Sequence, residues 1–140
     1  MDYFESVQEL TEEFMSFALF ALDHATDSII PYGGPLVPFA LTEVDGMKNL
    51  TRFPGDLQEG QTNARRAVKD SKDATRVAVA WDGFLTSGDI KTEAVFVEAY
   101  EIGSDESVIL AQRYGPVSSL DQSVQTIGNP AVAAKGSPLV

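Results

Sequence analysis

The feature that most constrains this chain is a block of three apolar runs between Arg76 and Pro116. They read RVAVAWDGFLT, TEAVFVEAYEI and SVILAQRY, and the polar breaks SGDIK and GSDE separate them. Valine, isoleucine and aromatic residues fill the runs, while Gly, Ser and Asp fill the breaks. That pattern predicts three consecutive antiparallel strands. Symmetric closure of each break sets Thr86 opposite Thr92 and Ile102 opposite Ser107, and strand alternation then sorts the side chains onto two faces. One face holds Val77, Val79, Trp81, Val95, Val97, Ala99, Val108, Leu110 and Tyr114, a core surface. The other holds Ala78, Ala80, Asp82, Phe96, Glu98, Tyr100, Ile102, Ile109, Ala111 and Arg113. It is too apolar to be left to solvent, so a second layer is expected over it: the second helix or C-terminal segment, another protein chain, or a small ligand.

The rest of the chain supplies covers for this sheet. From Tyr3 to about His24, apolar residues recur at three- and four-residue steps through Val7, Leu10, Phe14, Phe17, Ala18 and Ala21, which predicts a helix. Phe4, Met15, Leu19 and Leu22 add a second stripe, making the apolar face wider than one sheet surface requires. Leu36–Val44 and Met47–Phe53 predict a hairpin turning on Asp45-Gly46, with Glu43 opposite Lys48 and Leu41 opposite Leu50. Pro38, lacking a backbone donor, pushes its strand toward a sheet edge. Asp56 followed by Glu59 predicts the start of a second helix, Leu57 to about Ser71, with a narrow stripe suited to the surface. Leu120, Val124 and Ile127 keep helical spacing, and NPAVAAKGSPLV beyond Gly128 reads as a loose tail.

These elements predict one α+β domain over residues 1–128 and a flexible tail over 129–140. The domain is built on a mainly antiparallel five-stranded sheet with the order α-β-β-α-β-β-β and a final short helix. In element order alone this is similar to roadblock and profilin-like domains. That resemblance implies a dimeric adaptor or regulator.

Charge and composition narrow the function. Twenty-one acidic residues against 10 basic ones leave a net charge of −11, which repels nucleic acid and anionic membranes. There is no cysteine, so disulfides, thiolate metal sites and cysteine nucleophiles are excluded, and a cytoplasmic location is expected. The apolar segment Phe14–Leu22 is too short to span a bilayer. No G-x-S-x-G turn or phosphate-binding glycine spacing occurs. No cofactor or metal is therefore expected, and His24, between Asp23 and Asp27, is too isolated for a metal site.

The candidate ligand or partner face is Phe96, Glu98, Tyr100, Ile109 and Arg113. Glu98 lies mid-strand with Arg113 as its expected diagonal neighbour and Asp82 nearby. The group reads as a structural ion pair or as an acid/base or substrate-orienting site. Arg65, Lys69 and Lys72 step by four and three, forming a basic stripe that reads as a solvated helix face or an anchor for an acidic surface. The leading expectation is a small acidic interaction or regulatory module, homodimeric and without catalysis. The alternatives are a small-molecule binder or enzyme using Glu98 and Arg113, and an inhibitor or immunity-type protein capping a basic partner.

Overall fold

A computed structural model describes residues 11–118, 120 and 122–140. They form an α+β fold in which two helices flank a six-stranded antiparallel sheet. In chain order the elements are α1 (Glu12–Ile29), β1 (Phe39–Val44), β2 (Met47–Arg52), α2 (Leu57–Lys69), β3 (Arg76–Ser87), β4 (Ile90–Glu101), β5 (Ser107–Pro116) and β6 (Val124–Gly136). The sheet order is β2-β1-β3-β4-β5-β6.

α1 opens on Thr11, whose extended backbone leaves its Oγ1 free to accept from the Phe14 amide at 3.1 Å. The earlier turns expected from Tyr3 lie outside the described residues. The helix runs on to Ile29, past the expected stop at His24. There Thr26 and Ser28 return their hydroxyls to the carbonyls of Leu22 and His24, so polar side chains sit in the last turn without competing for its amides.

The β1–β2 hairpin has the expected register: Glu43 faces Lys48 and Leu41 faces Leu50. Asp45 and Gly46 both take positive φ, +50° and +79°, as a two-residue turn of this hand requires. The edge position expected from Pro38 is not found. Pro38 lies just before β1, so the missing donor costs no ladder bond, and β1 sits between β2 and β3. In α2, the Asp56 side chain accepts from the Glu59 amide at 2.9 Å. The helix is more than a surface layer, because Gly60, Ala64 and Val68 are buried. A Cβ on Gly60 would stand 2.6 Å from the Phe53 carbonyl oxygen, so glycine is what lets the helix approach.

The meander differs from expectation in one decisive register. β3 and β4 close through the two-residue turn Gly88-Asp89, with Gly88 at φ +61°, and Leu85 rather than Thr86 faces Thr92. This one-residue slip moves all of β3 to the opposite face relative to β4. β4 and β5 are shifted by two, with Ala99 opposite Val108, which leaves their faces as expected. The first face therefore carries Ala78, Ala80, Val95, Val97, Ala99, Val108, Leu110 and Tyr114 beneath Phe14, Phe17, Leu22 and Ile29 of α1. On the second face, Val77, Val79 and Tyr100 pack with Ala64 and Val68 of α2, and with Leu139 and Val140.

Residues 124–136 form a sixth strand in place of the expected short helix and loose tail. The apolar pattern of Leu120, Val124 and Ile127 is weak, and the free edge of β5 offers a continuous ladder of bonds that a three-residue stripe cannot match. Pro130 is tolerated because β6 is an edge strand.

Candidate functional site

Glu98 points from the middle of β4 into the second face and is 5% exposed. Its expected partner was Arg113. The two-residue shift of β5 instead sets Ile109 opposite Glu98 and Arg113 opposite Ala94. The carboxylate is held by Arg65 from α2, Nη1 to Oε1 at 2.9 Å. Ser107 Oγ donates to Oε2 at 2.5 Å. Gly136 closes the site, since a Cβ there would lie 2.6 Å from both Glu98 Oε2 and Ser107 Oγ. The carboxylate thus has partners on both oxygens and no room for a substrate. An acid/base pair of Glu98 with Arg113 is not assembled.

Asp82 is not near Glu98 either. The β3 slip places it on the first face, where it accepts from the Leu36 amide at 2.6 Å and from the Tyr114 hydroxyl at 2.9 Å. Burial raises its pKa, and the donated bonds from Leu36, Tyr114 and Gly83 oppose that rise. Burial and the adjacent Asp82 charge push the Tyr114 hydroxyl well above its ordinary range. The cluster ties the segment before β1 to β3 and β5, with bare Gly34 pressed against both polar tips.

Arg76 joins Glu43 and Glu101, and Lys48 also pairs with Glu43. Burial tends to lower the Arg76 pKa, but its hydrogen bonds to the two glutamates outweigh this and raise it. A cleft of about 500 Å³ opens beside this network under the first turns of α1, but its two cations are already engaged. His24 stacks on Phe20, meets Phe39 edge-on and lies 3.0 Å from Arg52 Nη2. A guanidinium can only donate, so Nε2 is the acceptor in this contact. Among the described residues, no group of three His, Cys, Asp or Glu side chains is placed to hold a metal ion. No helix among them is long and apolar enough to cross a membrane.

What the register brings together is an aromatic shelf at the far end of the second face. Trp81, moved here by the β3 slip, stacks on Phe96 with ring centroids 5.6 Å apart and planes 9° apart. The Arg65 guanidinium lies 5.0 Å from the Trp81 ring. Phe96, Ile109 and Arg113 are half-buried beside it, and Ile127 and Ala131 of β6 are exposed. Arg113 Nε is buried with no hydrogen-bond acceptor among the described residues. Among the described residues, α2 and residues 139–140 cover the Val77–Val79–Tyr100 end, and Trp81 packs against the margin of that cluster.

Of the expected partner-face residues, Phe96, Ile109 and Arg113 lie on this open end. Tyr100 is 3% exposed, with its hydroxyl donating to the Ser104 carbonyl. Glu98 is sequestered. The basic stripe is dispersed: Arg65 turns to the sheet, Lys69 ends α2, and Lys72 lies beyond the helix. Sequence reasoning set Trp81 on the opposite face and missed the β6 residues, although Gly88-Asp89 carries the turn signal that moves Trp81. Comparison with family models, with curated proteins and with solved structures gives no match.

Proposed function

We propose that this chain is a cytoplasmic protein-interaction or regulatory module that works as a homodimer and carries no catalysis of its own. The observation that supports this most is the open aromatic end of the second sheet face, where Trp81, Phe96, Ile109 and Ile127 offer contact area without an assembled acid, base or nucleophile. Enrichment in aromatic residues and arginine with few carboxylates is the composition of an interface core. The cysteine-free sequence suits a reducing compartment. Sedimentation velocity across a wide concentration range tests the reading. A concentration-dependent dimer is expected, and a strict monomer at the highest concentration counts against it.

A further inference from the structure

The strands of the second face carry very few carboxylates for a chain with 21 acidic residues. From β3 to β6 the only carboxylate on that face is Glu98, which is buried and ion-paired. Asp82, Glu93 and Glu101 all fall on the first face. The other acids among the described residues lie in α1, α2, the first hairpin and the turns and loops. Two copies with a charge of −11 each repel through almost any pair of surfaces. The open end of the second face brings no strand carboxylate into such a contact except the buried, ion-paired Glu98. A basic partner would be drawn to the acid-rich surfaces instead, and nucleic acid or an anionic membrane is repelled by the whole molecule.

On this ground, and resting on the interaction-module reading above, we propose that a second copy of this chain packs on the open end of the second face. The contact is twofold, sheet face to sheet face, centred on Trp81, Phe96, Ile109, Ile127 and Ala131, with Arg113 at its margin. The exposed alanines of β6 on this face, Ala131 and Ala134, leave room for close face-to-face approach. Arg113 Nε has no hydrogen-bond acceptor among the described residues, and the charge this residue adds at the margin is opposite in sign to the net charge of the second copy. Edge-to-edge pairing through β6 is disfavoured. That edge carries Pro130, Lys135 and two register irregularities, the devices that keep an edge strand from recruiting another.

The test uses the full chain. Wild type is expected to dimerise in sedimentation velocity. Ile127→Asp and Ala131→Asp each put a carboxylate into the contact twice, once per copy, and should raise the dimer dissociation constant on the order of a hundredfold. Val132→Asp, on the same strand but on the first face, should leave it unchanged. Because the chain lacks cysteine, Ala131→Cys and Val132→Cys provide a second readout. Thiol labelling at 131 should slow as concentration rises, and labelling at 132 should not. Added salt should strengthen association by screening the like net charges. A wild-type dimer that survives both Asp variants, labels alike at the two cysteines, or weakens with salt overturns this surface and leaves the functional reading standing. A wild-type monomer removes both.

Discussion

Replacing Arg65 by Met should destabilise the protein more than replacing Glu98 by Gln, although each change removes the same ion pair. The asymmetry comes from burial. Glu98 is 5% exposed, whereas the Arg65 side chain is 38% exposed. Arg65→Met strands a buried carboxylate with Ser107 as its remaining donor. Losing one partner of a buried pair costs about 3–5 kcal/mol, and the Ser107 bond holds the expected loss near the lower end, about 3 kcal/mol. Methionine keeps the apolar stem over Trp81, so lost packing adds little.

Glu98→Gln strands nothing comparable. Its amide oxygen still accepts from Arg65, the Ser107 hydroxyl can rotate to accept from the new amide nitrogen, and the half-exposed guanidinium is hydrated. The loss is then one charge-assisted bond made neutral, about 1 kcal/mol. Urea denaturation followed by the fluorescence of Trp81, the single tryptophan, should separate the variants by roughly 1 M in midpoint at unchanged slope. Equal losses, or a larger loss for Glu98→Gln, would show that the carboxylate is solvated and that the reasoning fails.

Three further changes probe the frame. Gly60→Ala gains about 1 kcal/mol of helix propensity, but its Cβ meets the Phe53 carbonyl oxygen at 2.6 Å. A net loss of about 2 kcal/mol from overpacking is expected in thermal denaturation, and a gain would mean that α2 can lift freely. Gly88→Ala meets nothing within 4 Å, so only the left-handed backbone is strained, at about 1 kcal/mol, measurable in the same way. The folded pKa of Asp82 is raised above its unfolded value, so the stability it contributes is present below the unfolded pKa and is lost as pH rises through the folded one. Asp82→Asn should therefore cost more in mildly acidic buffer than at neutral pH, with matched urea titrations as the check.

Much of the frame was readable from local chemistry. Asp45-Gly46 specifies its hairpin through backbone dihedrals, and Asp56 with Glu59 specifies the helix start through one hydrogen bond, so short-range rules suffice. The faces of β4 and β5 followed from alternation, because a two-residue error in register changes neighbours without changing sides. That tolerance did not extend to partners, and Arg113 was paired with the wrong strand position. β6 was illegible because its residues have weak strand propensity and are held by the edge they complete. The Arg65–Glu98 pair spans 33 residues of sequence, and no local pattern shows which way a helix will turn its cations.

The Gly88-Asp89 turn has consequences well beyond its own hairpin. A loop one residue longer on one arm would seat Trp81 under α1 and leave Asp82 on the second face, beside Phe96. The second face would then lose its indole and gain a carboxylate. The observed turn does the reverse. It sends Asp82 to the Leu36 amide and the Tyr114 hydroxyl, where three donors oppose its burial cost, and sends Trp81 to Phe96. Both outcomes follow from a glycine that can hold φ at +61°, so the chemistry of the open face is decided at the far tip of the hairpin.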